Sequence, residues 1–364
     1  MKKAFDTVNH SILLDKLKFL GIKGVANAWF RSYLQDRQQF VSINGTNSST
    51  TTINIGVPQG SVLGPLLFLM YINDMPSNSN FFTLLFADDT TLEDKDADLD
   101  NLTKKCNANL TLAANWFQAN RLTLNAKKTK CMVFGPNGNS IPLPFPLKIA
   151  GVEIERIGNR FPTKSFKLVG VHLDDNLNWD EHTTHVRGKI SKTNYGLARA
   201  KRCLPSHIKK MVYDSLFKCH LEYCLPIWGE CSSSRSRGFL SMQKTAIRNI
   251  ASAKYNAHTD PLFRKYKVLK FKDLYSNSVG TFMFNLSMGL HPPQICDLVT
   301  KSENFDRNLN YRLNKLPFVY LQKLVPHSLA KSWNSLNIAH KNWLKEKPVV
   351  KKKLINAPPT CPPG

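Results

Sequence analysis

Two adjacent carboxylates, Asp88-Asp89, follow the apolar run Phe81-Phe82-Thr83-Leu84-Leu85-Phe86-Ala87 and precede the β-prone Thr90-Thr91-Leu92. This pattern reads as two strands with the acidic pair at the hairpin tip. An Asp pair in a turn is ordinarily solvated, because Asp is a common turn residue. A strand as apolar as 81–87 argues otherwise: it is expected to be buried at the domain centre, which places its acidic end at a cleft. Like charges that close are costly unless a cation neutralises them. Hard oxygen ligands suit Mg²⁺, and two-metal sites serve phosphoryl transfer.

Upstream lies Gly56-Val57-Pro58-Gln59-Gly60-Ser61-Val62-Leu63-Gly64-Pro65. Its glycines let backbone approach a ligand closely, Gln59 supplies both donor and acceptor, and Ser61 can cap the next helix. Taken alone, the segment is also compatible with an ordinary strand-to-helix connection.

The elements that must position these groups are legible from periodicity. Apolar residues recur at helical spacing from Ile12 to Gln35, broken by Gly21 and Gly24, which predicts two helices. Residues 39–43 and 50–55 flank Asn44-Gly45 and predict a hairpin. Residues 61–73 read as a buried helix with Pro65 in its first turns. Residues 98–120 form an amphipathic helix, followed by short strands at 122–124 and 131–134 and an irregular connection over 135–146. Residues 166–173 alternate as a strand, and residues from about 180 to 300 read mainly helical with basic faces. The tail beyond Lys345, rich in lysine and proline, has the composition of a disordered segment.

Over 364 residues, Lys and Arg outnumber Asp and Glu by 50 to 26, giving a net charge of +24. Such an excess points to a polyanionic partner, nucleic acid or an anionic membrane. It is unevenly placed: residues 1–135 carry +3 and residues 136–364 carry +21. A membrane partner is disfavoured because no amphipathic lipid-binding helix stands out, no signal peptide precedes the first element, and the longest apolar run, 62–72, is far too short to span. Eight cysteines without a CxxC pair predict reduced thiols in an intracellular protein. The grouping of Cys219-His220, Cys224 and Cys231 suggests a metal, but its spacing fits no zinc-ribbon pattern.

Three segments together resemble the reverse transcriptases of non-LTR (LINE-type, jockey-like) retrotransposons. They are Lys3-Ala4-Phe5-Asp6-Thr7-Val8-Asn9-His10, then Gly56-Val57-Pro58-Gln59-Gly60-Ser61 with Leu63-Gly64-Pro65-Leu66-Leu67-Phe68, then Phe86-Ala87-Asp88-Asp89. Leu124-Asn125-Ala126-Lys127-Lys128-Thr129 is similar to the family's next motif, and Leu168-Val169-Gly170-Val171-His172-Leu173-Asp174 to its primer-gripping hairpin. Weaker similarity to C-terminal regions of such elements runs from Tyr223-Cys224-Leu225-Pro226-Ile227-Trp228 to Ser332-Trp333-Asn334-Ser335-Leu336.

The resemblance implies RNA-templated DNA synthesis, with an RNA template, a DNA primer and deoxynucleoside triphosphates as partners and Mg²⁺ as cofactor. It implies an α+β fold: a right-hand polymerase palm, an antiparallel sheet with packed helices, then a helical thumb and a basic, mostly helical C-terminal region. Asp88 and Asp89 take the catalytic, metal-binding turn, with Asp88 the principal ligand. Phe5 matches the aromatic gate under the incoming sugar, and Gln59 and Gly60 lie against nucleotide and template. Lys128 matches the lysine beside the departing pyrophosphate, with Lys127 an adjacent rival. Leu168, Gly170 and Val171 form the primer grip, and Trp179, His182 and the basic helix from Arg187 to Arg202 contact phosphates as thumb. The implied division is palm over 1–178, thumb-like helices over 179–230, a basic region over 231–345 and a disordered tail over 346–364. Family habit places such a protein in nucleus and cytoplasm.

One departure bears on activity. The family's first metal-binding Asp precedes Ala-Phe-Asp by four residues, which falls immediately before Met1, and the fingers lie outside the chain as well. Residues 1–6 are expected to form a core strand beside the Asp88-Asp89 hairpin. On such a strand Phe5 and Asp6 face opposite ways, so Asp6 cannot replace the missing carboxylate. An inactive nucleic-acid-binding remnant is therefore the alternative to an RNA-directed DNA polymerase.

Overall fold

A computed structural model of the chain describes residues 1–135, 146–297, 299, 311 and 325–335. The expected irregular connection, apart from its end residues, and the expected disordered tail lie outside the described residues. The chain is mixed helix and sheet and divides into two compact units: among the described residues, 1–133 and 146–157 make the first, and 134–135 with those from Gly158 onward make the second.

In the first unit, α1 (His10–Phe19) starts where the Asn9 side chain accepts from the Ile12 N–H, satisfying an orphan donor of the first turn. It buries Leu13, Leu14 and Leu17. The buried Asn27 amide ties α2 (Gly24–Leu34) back to it, donating to the carbonyls of Leu14 and Ile22. A nested hairpin follows. Outer strands β1 (Arg37–Gln39) and β4 (Thr51–Ile53) pair, as do inner strands β2 (Ser42–Ile43) and β3 (Thr46–Asn47). The turn is Asn44-Gly45, both at positive φ, the backbone that a two-residue hairpin demands.

The helix α3 (Leu63–Ile72), expected to be buried, is buried on one side only: Leu67, Phe68, Tyr71 and Ile72 enter the core while Leu66 and Leu69 stay exposed. It leads through a short 3-10 turn, Met75–Asn78, to the hairpin β5 (Phe82–Phe86) and β6 (Asp89–Glu93). Then come α4 (Leu99–Ala119), N-capped by Asp98, and β7 (Lys130–Met132). A small hairpin of β8 (Lys148–Ile149) and β9 (Val152–Glu153) precedes β10 (Glu155–Ile157), which runs parallel to β7. Tyr71 on α3 donates from its hydroxyl to the Asn120 carbonyl across 2.6 Å, fixing α3 to the end of α4.

Three further expectations are corrected in this unit. Residues 1–6 are not a strand: Ala4–Thr7 is a 3-10 turn, and Phe5 and Asp6 are therefore not set on opposite sheet faces. Residues 122–124 are not a strand: the Leu122 N–H donates to the Phe117 carbonyl, the Thr123 carbonyl accepts from the Lys2 N–H, and the Leu122 side chain is buried. The strand over 82–86 is not buried on both faces. Phe82, Leu84 and Phe86 are 54, 51 and 62% exposed, because β5 pairs with β6 alone among the described residues and only its other face meets a core.

In the second unit, β11 (Phe166–Leu168) and β12 (Val171–Leu173) form a hairpin, where simple alternation predicts one strand. The reason is Val169-Gly170, both at positive φ, which reverses the chain. The rest is helical: α5 (Asp180–Arg199), α6 (Ser206–Tyr213) running through a π turn into α7 (Cys219–Glu222), α8 (Leu225–Trp228), α9 (Ser233–Ile250), α10 (Asp260–Lys265), α11 (Phe271–Ser287), α12 (Pro293–Cys296) and α13 (Val325–Asn334). Their main core gathers Val186, Ile190 and Leu197 of α5 with Phe217, Trp228, Phe239, Ile247 and Phe271. Trp179 and His182, expected to touch phosphates, are corrected: both are buried, with the His182 ring edge-on to Trp228 at 5.1 Å.

Candidate active site

Backbone bonds draw the first two motifs of the sequence together. Val8 and Phe5 offer carbonyls to the N–H groups of Gly56 and Val57, at 2.7 and 2.8 Å. The His10 ring bonds the Gly56 carbonyl through Nε2 at 2.7 Å, and the Gln59 amide donates to the Asp6 carboxylate, also at 2.7 Å. Gly56, at φ +90°, leaves room for this approach: a Cβ there would stand 2.9 Å from the Asp6 carbonyl oxygen. Gly64 is equally constrained, since its Cβ would come within 2.4 Å of the Pro58 carbonyl oxygen. Ser61 donates to that same carbonyl and accepts from the Gly64 N–H, closing the first turn of α3 as its position predicts.

The third motif joins them through packing. Ala4, Val8, Val57, Leu67 and Phe68 are buried in one cluster, and Phe5, Leu63, Leu85 and Leu92 pack against it half-buried. The Phe5 ring lies 4.5 Å from that of Phe68. Leu85 and Leu92 are on β5 and β6, so the same core anchors the inner face of the hairpin that carries the acidic pair.

At its tip, Ala87 takes a positive φ, Asp88 is half-buried, and Asp89 is exposed and opens β6 opposite Phe86. Neither carboxylate has a hydrogen-bond or ion-pair partner among the described residues. Two bare carboxylates on one turn have the donor chemistry of a hard cation site. They do not complete one: no group of three His, Cys, Asp or Glu side chains able to hold an ion occurs among the described residues. Asp6 is engaged by Gln59 instead.

The remaining sites named from sequence fall as follows. Gln59 and Gly60 are exposed on the loop, with nothing within 4 Å of where a Gly60 Cβ would stand. Lys127 and Lys128 are exposed on a 3-10 turn, Ala126–Lys128, and no hydrogen bond or ion pair joins either to the acidic turn. Leu168, Gly170 and Val171 belong to the second unit. There Gly170 makes room for Tyr223: a Cβ would lie 3.1 Å from its ring, and the Tyr223 hydroxyl donates to the Val169 carbonyl. Sequence reasoning missed the Asp6–Gln59 and His10–Gly56 bonds. Their one signal is that polar residues flank Phe5 and Val8 in a segment otherwise destined for the core.

A family model described as reverse transcriptase (RNA-dependent DNA polymerase) matches residues 1–173. The chain is 28% identical over 304 residues to an RNA-directed DNA polymerase from mobile element jockey of Drosophila melanogaster, covering 80% of this chain and 32% of that protein. It is 29% identical to the corresponding jockey protein of Drosophila funebris, covering 75% and 30%. It is 27% identical to a probable RNA-directed DNA polymerase from transposon BS of Drosophila melanogaster, covering 72% and 30%. The chain thus spans about a third of the length of these curated relatives. The family match runs from the Ala4–Thr7 turn through the Gly56–Gly60 loop and the Asp88-Asp89 hairpin to the end of β12. Residues 1–173 of this chain are a reverse-transcriptase domain of the non-LTR retrotransposon kind.

Proposed function

We propose that this chain carries the palm of an RNA-directed DNA polymerase, which extends a DNA primer along an RNA template from deoxynucleoside triphosphates. The observation that carries the reading is the shared core of the first unit, where Phe5, Val57, Leu85 and Leu92 bring three motifs of the family to one place. In this reading Asp88 and Asp89 supply carboxylates to Mg²⁺, the family's cofactor, which would offset charge on the reacting phosphates. Phe5 bounds the sugar, Gln59 and Gly60 lie along nucleotide and template, and Lys128 serves the leaving pyrophosphate.

The second unit supplies the grip and the electrostatic hold. Leu168, Gly170 and Val171 form a rigid hairpin stiffened by Tyr223, and α5 acts as a thumb helix. Its exposed face presents Lys192, Tyr195 and Arg199 beside Gly188 and Gly196. Nothing stands within 4 Å of a Cβ at either glycine, so protein packing does not require them there. Exposed glycines in mid-helix cost about 1 kcal/mol each relative to alanine, and a smooth basic face that lets a phosphate backbone approach is what they provide. No described helix is long and apolar enough to cross a membrane.

The test is primer extension on an RNA template by a longer polypeptide that contains residues 1–364 and supplies the further carboxylate the acidic turn lacks among the described residues, in parallel with its Asp88→Asn variant. The variant is expected to lose extension while keeping its affinity for an RNA–DNA hybrid, since it removes charge at the turn and touches few phosphates. Extension by Asp88→Asn at the parental rate, or hybrid binding without templated incorporation by the parent, overturns the reading.

A further inference from the structure

The second unit holds a cleft beyond the matched domain, between the C-terminal half of α9 and the segment that leads into α10. Its volume is about 490 Å³, within the size range of small-ligand sites, and Lys244, Arg248, His258, Thr259 and Asp260 are among the residues that line it. Lys244 and Arg248 are four residues apart and so share one face of α9. Arg248 donates from Nε to the Ala257 carbonyl at 3.0 Å, which fixes the opposite wall.

Among the described residues the cations lining this cleft form no hydrogen bond or ion pair with a protein acid. Asp260, the acid present, pairs with Lys270 at 3.1 Å; that hydrogen bond and charge, with the charges of Lys244 and Arg264 added, hold its carboxyl below the usual range. Lys244 is half-buried, and neither it nor His258 has a hydrogen-bond or ion-pair partner among the described residues. Residues 244–265 contain five Lys or Arg and one Asp. A half-buried lysine beside an arginine, with the one nearby acid bonded to another lysine, leaves the cleft with positive charge that an anion would neutralise.

Tyr255, next in sequence to the lining residue Asn256, is 91% exposed. An aromatic ring left in water next to a cationic cleft matches the two needs of one unpaired nucleotide: an anionic site for its phosphate and a flat apolar face for its base. A duplex offers the phosphate but keeps its bases stacked inside.

We propose that the Lys244–Arg248–His258 cleft with Tyr255 is a binding site for single-stranded nucleic acid, taking a backbone phosphate between the cations and stacking the adjoining base on the tyrosine. The site rests on the polymerase reading only in that it handles the same class of polymer. It stands apart from the Asp88-Asp89 turn in sequence and in chemistry, and would hold unpaired template or product strand.

The experiment measures binding of a short oligo(A) RNA and of an RNA–DNA hybrid to the full chain and to Lys244→Ala and Tyr255→Ala, across a salt series. Tyr255→Ala is expected to weaken oligo(A) binding roughly 5- to 150-fold, the loss of one stacked base, with the salt slope and hybrid affinity unchanged. Lys244→Ala is expected to weaken it and to lower the slope by about 0.7, one phosphate contact on a single strand. Tyr255 is nearly fully exposed, so its variant tests the site without threatening the fold. Parental oligo(A) affinity in both variants, equal loss of hybrid and oligo(A) binding in Tyr255→Ala, or no oligo(A) binding by the parent overturns the site. Failure of the polymerase reading is read separately, by extension in the Asp88→Asn comparison, which does not involve oligo(A) binding.

Discussion

The side-chain amide of Gln59 donates to the carboxylate of Asp6 across 2.7 Å, joining two motifs that stand 53 positions apart. Two backbone bonds, Gly56 N–H to Val8 and Val57 N–H to Phe5, run alongside it. The backbone pair holds the loop against the first turn. The side-chain bond sets where Gln59 points, and so which groups of the loop remain open to a ligand.

These roles separate by mutation. Gln59→Ala loses one exposed bond to a charged group and is expected to cost no more than about 1.5 kcal/mol of stability. Gly56→Ala must adopt a positive φ and push its Cβ into the Asp6 backbone, so about 2–4 kcal/mol is expected. Gly64→Ala, whose Cβ would meet the Pro58 carbonyl, falls in the same range. Gly60→Ala has the same backbone strain as Gly56 but open space, and about 1 kcal/mol is expected. Urea denaturation midpoints of the four variants check the ranking, and Gly60→Ala proving as damaging as Gly56→Ala would refute it.

Much of this was legible beforehand because local rules govern it. Asn44-Gly45 dictates its turn, Gly21 and Gly24 separate the first two helices, and Ser61 closes the first turn of the helix that follows it. What was not legible depends on partners far along the chain. Apolar composition predicted burial for both faces of residues 82–86, yet burial requires something to cover each face, and here Leu85 meets a core while Phe82, Leu84 and Phe86 do not. Trp179 and His182 sit near basic residues in sequence, but a helix turns, and His182 shares the inward face with Val186 and Ile190. The Lys244 cleft carried no motif at all, since its walls come from a helix face and a loop with unremarkable spacing.

Gly188 and Gly196 give a test in which stability and function move in opposite directions. Replacing either by alanine adds a Cβ that meets nothing and removes backbone entropy from the unfolded chain. Each variant is expected to be about 0.5–1 kcal/mol more stable than the parent. If α5 lies against a phosphate backbone, the same methyl groups reduce hybrid affinity. Stabilisation with unchanged affinity, read by calorimetry and hybrid titration, removes α5 from the interface.

The last prediction concerns acid. His182 of α5 is 2% exposed; its Nδ1 accepts from the His172 N–H at 3.3 Å and its Nε2 has no hydrogen-bond partner among the described residues. The His172 ring lies 6.4 Å from that of His182 and 4.9 Å from that of His185. Burial first, and then the neighbouring charges of His172 and His185, push His182 down to about 4. His172 and His185 are lowered too, chiefly by burial, with Lys167 of β11 acting on both and Lys189 of α5 and His220 of α7 on His185; Glu181 opposes this weakly at His172. A histidine whose folded value lies below its unfolded one binds its proton more readily in the unfolded chain, so stability falls as pH drops below the unfolded value near 6.5 and keeps falling until about 4. At pH 5 the His182 contribution is expected to be about 2 kcal/mol below its value at pH 7.5. His182→Asn keeps an acceptor near Nδ1 and carries no titrating ring, so it should lower stability at pH 7.5 yet flatten the decline between 7.5 and 5. Urea denaturation of the full chain at the two pH values, followed by tryptophan fluorescence because Trp228 abuts this ring, measures the difference. A decline as steep in His182→Asn as in the parent would assign the acid sensitivity to other groups.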